Sequence, residues 1–413
     1  MLVIGMDALV FFVFVLVYLG MIAGGLPGLA LDRTGVALLG AIVLVTAERL
    51  TPTDAWAAID TPTMGLLLGL MVVSAQFRLG GFYTRFTTRI AELPVSPPVL
   101  LAVVIAAAAA LSALLCNDII CLAMAPVLAE GCVRRKLDPV PFLLALACAA
   151  NVGSAATLIG NPQNMLIGQV LRLRFDVYLL QAIVPTVLGL GAVWLVICLR
   201  TSGKWLRETW ADHEPGRPFD RWQTTKGFLV LALLVLGFLW GGLPREVLAL
   251  AAAGALLISR RMHSREMLQL IDWQLLVLFA GLFIVNRAMS DSGNLPQLLA
   301  SLRGAGVDPA QPGWLFATSV VLSNLVSNVP ATMLLLPAAQ HPLAGPILAL
   351  SSTLAGNLLV VGSIANIIVI DQAARLGIRI SWREHALVGV PVTLLTLAIA
   401  AGWLVVLAQL GGR

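Results

Sequence analysis

LSALLCNDIICLAMAP, residues 111–126, sets an amide and a carboxylic acid side by side, Asn117 and Asp118, in the middle of an otherwise apolar run. LSNLVSNVPATMLLLP, residues 322–337, is a near copy in which Asn328 stands where Asn117 does and Val329 where Asp118 does. Polar side chains at bilayer depth are costly and usually face a cavity, a partner or an ion path rather than lipid. The two stretches are therefore expected to come together as halves of one site.

Composition sets the class. Of 413 residues, 59% are hydrophobic and only 11% charged, and the mean hydropathy is +0.94. Soluble domains carry about 25% charged residues, so this balance belongs to a polytopic membrane protein. Apolar runs reach the roughly 20 residues of a spanning helix again and again, whereas a membrane β-barrel would show alternating segments of about ten. The five cysteines (Cys116, Cys121, Cys132, Cys148 and Cys198) have no CxxC or metal-ligand spacing and read as small buried hydrophobes. None of the four histidines, His213, His263, His341 and His385, is placed in a segment core. No metal or cofactor is expected, apart from a coupling ion, H+ or Na+.

Outward from the first stretch, the N-terminal MLVIGMD carries no Lys or Arg, so residues 9–29 read as a first membrane helix and not a signal peptide. Spans follow at 34–47 and 62–79, then FYTRFTTRIAEL at 82–93, whose aromatic and basic residues at helical spacing suit an interfacial helix. Residues 97–132 stay apolar for too long for one span and are interrupted at Cys116, Asn117 and Asp118, which predicts a re-entrant hairpin of two half-helices. NVGSAATLIGNPQN interrupts the next run, 141–170, which reads as a broken helix. A span at 178–199 closes a first repeat, residues 1–200, and a polar linker at 201–225 leads to a second repeat, 226–413, with a hairpin at 312–340 and a broken helix at 345–370.

The halves align. Arg33 meets Arg245, Asp60 meets Asp272, Gly69 meets Gly281 and Gly81 meets Gly293; farther on, Ser112 meets Ser323, Asn117 meets Asn328 and Pro126 meets Pro337. Beyond an indel, Asn151 pairs with Asn357, Gly160 with Gly362 and Asn164 with Asn366. Five crossings and one hairpin per half force the second half in upside down, the inverted repeat common among secondary transporters. The fold expected is all-α, with about ten transmembrane helices, two re-entrant hairpins and helices broken at midplane. Most of the 26 Lys and Arg then fall on the side to which the first hairpin opens. By the positive-inside rule that side is cytoplasmic, with the linker inside and both termini outside a bacterial or archaeal inner membrane. The net charge of +5 is a topological signal on this reading, and no nucleic-acid partner is expected.

The paired CNDIICLAMAP and SNVPATMLLLP segments, followed by NVGSAATLIGNPQN and GNLLVVGSIAN, resemble the ion transporter superfamily, and within it the arsenite permease and citrate-transporter-like branch. The similarity covers nearly the whole chain. It implies that the hairpin tips and the breaks in the following helices hold substrate, and cations in sodium-coupled members. Carried onto this chain, the tips are Cys116, Asn117 and Asp118, and Ser327, Asn328, Val329 and Pro330. The breaks are Asn151, Gly153, Thr157, Gly160, Asn161 and Asn164, and Gly356, Asn357, Gly362, Ser363 and Asn366. The sodium-coupled carboxylate carriers of the superfamily usually have Ser-Asn-Thr at both tips, and both threonines are missing here.

The chemistry agrees with that assignment. Asn offers donor and acceptor, Ser a rotatable hydroxyl, and broken helices expose backbone groups that can contact an oxyanion, a neutral hydroxide or a cation. Asp118 is the expected proton-coupling residue, because burial favours the neutral acid and lets a tip carboxyl load and release a proton; its alternative role is to cap a half-helix. Likewise, the Asn residues can instead serve only to satisfy the backbone at the breaks, and Cys116 offers trivalent arsenic a single, exchangeable thiol. The function expected is secondary transport of a small inorganic substrate, first arsenite or antimonite efflux coupled to protons, with uptake or exchange of another anion such as a carboxylate, or Na+/H+ antiport, as alternatives. The partners expected are the bilayer, a second copy in a homodimer and, for an arsenite-type member, a soluble ATPase. No HExxH, GxSxG or paired-aspartate motif supports an enzyme.

Overall fold

The computed structural model describes residues 7–26, 28–206 and 218–411, so part of the linker, with His213, lies outside the described residues. Among them no strand forms; only two isolated bridges do, Gly25 with Asp32 and Leu137 with Leu206. The first half holds α1 (Ala8–Ala23), α2 (Arg33–Thr46), α3 (Pro52–Ala58), α4 (Thr61–Leu79) and α5 (Phe82–Ala91). Then come α6 (Pro97–Leu114), α7 (Asn117–Arg134), α8 (Pro139–Ser154), α9 (Pro162–Val170) and α10 (Phe175–Thr201). The second half repeats the order with α11 (Arg221–Trp240), α12 (Arg245–Leu257), α13 (Ser264–Gln269), α14 (Trp273–Asp291) and α15 (Asn294–Gly304). It ends with α16 (Pro312–Val326), α17 (Asn328–Leu335), α18 (Ala344–Ala355), α19 (Ile364–Arg375) and α20 (Trp382–Gly411). Six of these, α4, α6, α10, α11, α14 and α20, are long and apolar enough to cross a membrane.

The starts of the spans follow from local chemistry. Aspartate carboxylates at Asp7, Asp32, Asp60, Asp220 and Asp272 accept backbone N–H groups of the first turns of α1, α2, α4, α11 and α14. These are the donors that a helix cannot satisfy internally. Proline at the first positions of α6, α8, α9 and α16 fixes φ where no N–H is needed.

Contacts between the halves set their relative direction. Thr34 donates to the Gln274 carbonyl at 3.4 Å, and farther along Ala37 meets Gly281, so α2 and α14 run parallel. The mirrored pair is α12 with α4, where Glu246 lies near Gly65 and Ala249 against Gly69. Short α3 joins the end of α2 to the start of α4, so α4 sets out from the side that α14 reaches. Counterparts α4 and α14 thus run in opposite senses. Both pairs rely on glycine: a Cβ on Gly69 would stand 2.6 Å from the Ala249 carbonyl, and one on Gly281 2.8 Å from the Ala37 carbonyl carbon. Small residues that let backbones approach are the usual basis of helix packing in lipid.

The core surrounds α8 and α18. Every residue of α18 is buried, and every residue of α8 except Pro141. They are enclosed by α6 and α7, by α16 and α17, by α9 and α19, and by α10 and α20. The two hairpins differ. At about 27 Å each, the arms α6 and α7 exceed half-helices, and α7 continues through Pro126 to pack along α5, where Arg135 donates to the carbonyls of Ala91, Leu93 and Val95. In the second, α17 stops after eight residues and one 3-10 turn, Leu336–Ala338, ahead of His341 and Pro342.

Candidate functional site

The site is built on the two breaks. After α8 the chain leaves helical geometry, and Asn161 restarts it by accepting the Asn164 N–H at 2.9 Å. Asn164 then staples the break with its amide nitrogen, which reaches the carbonyls of Ser154 at 3.4 Å and Thr157 at 3.0 Å. The second break is closed the same way: Ser363 accepts the Ala365 N–H at 3.2 Å, and Asn366 donates to the carbonyls of Gly356 at 2.8 Å and Leu359 at 3.2 Å. Buried carbonyls freed by a broken helix must find donors, and these side chains supply them.

Close packing holds the breaks on the hairpins. A Cβ on Gly153 would collide with the Ala109 backbone of α6, and one on Gly160 with the Ser154 carbonyl. Thr157 donates to the Ala113 carbonyl at 2.5 Å, and the Asn117 N–H to the Gly160 carbonyl at 3.2 Å. On the other side, Gly356 leaves room for the Asn328 amide nitrogen and Gly362 for Asn324 Oδ1.

One chain of amides and hydroxyls crosses between the halves. Asn117 Nδ2 donates to Asn151 Oδ1 at 3.1 Å; Asn151 Nδ2 donates onward to Asn357 Oδ1 at 2.8 Å and Asn366 Oδ1 at 3.2 Å; Ser363 Oγ donates back to Asn151 Oδ1 at 2.9 Å. A second layer joins Asn161 to Ser154 and Thr353, and Thr353 to Asn164 and Gln163. Three Asn residues at the site keep polar atoms buried and unpartnered, the acceptors Asn324 Oδ1 and Asn328 Oδ1 and the donor Asn357 Nδ2.

The remaining tip residues flank this chain. Cys116 is the buried N-cap residue of α7, and its thiol points to Asn117 Oδ1 at 3.8 Å. Asp118 lies in the first turn of α7, half-buried, hydrogen-bonded to no other site side chain among the described residues and within electrostatic reach of Asp272. Ser327 has φ 77° and ψ 163°, a region otherwise held almost only by glycine and a mark of strain at functional sites. No group of three or more His, Cys, Asp or Glu among the described residues could hold a metal ion.

Some participants are not singled out by the sequence. Ser154 and Gln163 lie inside the first broken-helix motif, and Thr353 and Tyr178 outside any motif; Tyr178 joins the network by accepting from Asn164 Nδ2 at 3.3 Å and donating to the Ala155 carbonyl at 2.8 Å. Thr353 also corrects the repeat alignment. The spacing that pairs Asn164 with Asn366 pairs Asn151 with Thr353, and the bonds agree: Asn151 reaches Asn366 as Thr353 reaches Asn164. Asn357 is therefore not the mate of Asn151. His385 is likewise not peripheral: it is 2% exposed, its Nε2 has no partner, and its ring lies beside Gly389, against which the Asn357 carbonyl packs.

Comparison with known proteins agrees with this architecture. A family model described as Citrate transporter matches residues 9–347. The silicon efflux transporter LSI3 of Oryza sativa is 28% identical, over 90% of this chain and 92% of that protein. The inner membrane protein YbiR of Escherichia coli is 30% identical, over 85% of this chain and 89% of that protein. The crystal structure of the Alcanivorax borkumensis YdaH transporter covers 98% of both chains with a TM-score of 0.61 and 17% identity, a likeness of fold. This polytopic, all-helical chain belongs to the citrate transporter family of the ion transporter superfamily and is a secondary transporter.

Proposed function

We propose that the chain exports arsenite or antimonite, as the neutral trihydroxide, across an inner membrane in exchange for protons. The observation that carries this reading is the chemistry of the polar network, which consists of amides and hydroxyls with no Lys, Arg or carboxylate among its hydrogen-bonded members. A tricarboxylate would have to shed its hydration there without a cation to receive it, at high cost. A small hydroxide both donates and accepts, and Asn328 Oδ1 and Asn357 Nδ2 offer it one acceptor and one donor. The relative named as a silicon efflux transporter supports a hydroxide-like substrate.

In this proposal Asp118 carries the coupled proton, and the basic loops, with the 201–225 linker, lie in the cytoplasm. The test is uptake into everted vesicles of arsenite, silicic acid, citrate or sodium, with and without a pH gradient, for wild type and Asp118→Asn. Gradient-driven arsenite uptake lost at least tenfold in Asp118→Asn is the expected result. Arsenite uptake indifferent to both gradient and substitution would overturn proton coupling, and uptake of citrate alone would overturn the substrate.

A further inference from the structure

Where α4, α5 and the start of α11 meet, a cavity of about 520 Å³ combines cationic walls with an aromatic floor. Its walls carry three guanidinium groups. Arg85 and Arg89 stand one turn apart on α5, and Arg221 faces them from the first turn of α11. Its floor is aromatic: Phe82 stacks on Phe86 at 5.3 Å and meets Phe228 edge-on at 5.0 Å, and Phe228 rests in turn on Phe77 at 4.9 Å. Phe219 forms the rim, with the Arg85 guanidinium 5.2 Å from its ring centroid.

No carboxylate among the described residues pairs with these three arginines. The nearest in sequence, Asp220, is already engaged, accepting the Gln223 N–H at 3.0 Å and lying 3.7 Å from Arg261. The walls are firmly placed, since Asp220 N–H and Thr224 Oγ1 both donate to the Gly80 carbonyl at the end of α4. Nor does the repeat require the charge. Gly81 and Gly293 start α5 and α15 with the same left-handed backbone, yet where α5 has Arg85 and Arg89 the second half has Gln297 and Ser301, and where α11 has Arg221 the first half has Leu9.

We propose that this cavity binds the phosphate of an anionic phospholipid, held by Arg85, Arg89 and Arg221, with an acyl chain over Phe82, Phe86 and Phe228. Guanidinium forks match phosphate oxygens, basic pockets between membrane helices take anionic headgroups, and the apolar floor distinguishes a lipid from a free anion. Lipid bound there would tie α11 of the second half to α5, the segment that leads into the hairpin bearing Asn117.

The test uses the full chain purified in neutral detergent, with its melting temperature followed on addition of phosphatidylglycerol, phosphatidylcholine or inorganic phosphate, and bound lipid counted by native mass spectrometry. Phosphatidylglycerol is expected to raise the melting temperature and remain bound, while the other two do neither. Each single Arg→Gln substitution is expected to weaken the phosphatidylglycerol response roughly fivefold, and the combination of R85Q, R89Q and R221Q to abolish it. R303Q, on the counterpart helix α15, serves as the control and should leave it unchanged. A phosphatidylglycerol response preserved in the single variants or in their combination would overturn the site. Equal stabilisation by inorganic phosphate would overturn the lipid as occupant. If the triple variant does not fold, the three single titrations decide.

Discussion

Asn164 and Asn366 spend their amide nitrogens on carbonyls at either edge of a break, whereas Asn328 leaves its amide oxygen unspent. Replacing Asn366 by Ala removes three hydrogen bonds and strands buried acceptors, so a loss of about 2–3 kcal/mol of stability is expected, read as a lower melting temperature. Asn328→Ala strands no partner of Oδ1 and should change the melt by less than about 1 kcal/mol while lowering transport. Equal melts for the two variants would mean that the amides are not divided between scaffold and site in this way. The polar residues of the tips and breaks were legible because each interrupts an apolar run. Their division between scaffold and site was not, because it depends on partners brought in from other helices. Thr353 shows why. Ser351 and Ser352 beside it donate to carbonyls of their own helix, the usual behaviour of hydroxyls in membrane helices, and nothing local tells Thr353 apart from them.

At the scale of elements, close helix contacts tie the halves together, α4 on α12 and α2 on α14, each through a glycine. Gly69→Ala should force α4 and α12 apart and cost roughly 1–3 kcal/mol. Gly191→Ala, in α10 with nothing within 4 Å of a new Cβ, should gain up to about 1 kcal/mol from helix propensity alone. Thermal melts of the two variants moving in the same direction would contradict this account of the packing. Helix starts follow from single residues, since Asp60 and Asp272, already aligned between the halves, accept the N–H groups of Thr63 and Leu275. The unequal hairpins do not: Pro126 stays inside α7, whose following residues pack on α5, while α17 gives way at Leu336 to a 3-10 turn.

The molecule as a whole cannot be divided along its sequence midpoint without cutting its core, because Asn151 in one half is bonded to Asn357, Ser363 and Asn366 in the other. If the chain is cut within 207–217 and both pieces are expressed together, they should co-purify; either piece alone should be degraded. Recovery of one folded half by itself would show that the halves are separate domains. The exchange of Asn151 for Thr353 has a consequence for a carrier whose two faces are related by near symmetry. Only if the two halves were alike throughout would the empty protein have two mirror-image resting states of equal energy, and this pair lies at the centre of the network where the halves meet. An amide on one side and a shorter hydroxyl on the other lift that degeneracy, so the unloaded carrier has a preferred side on which to wait.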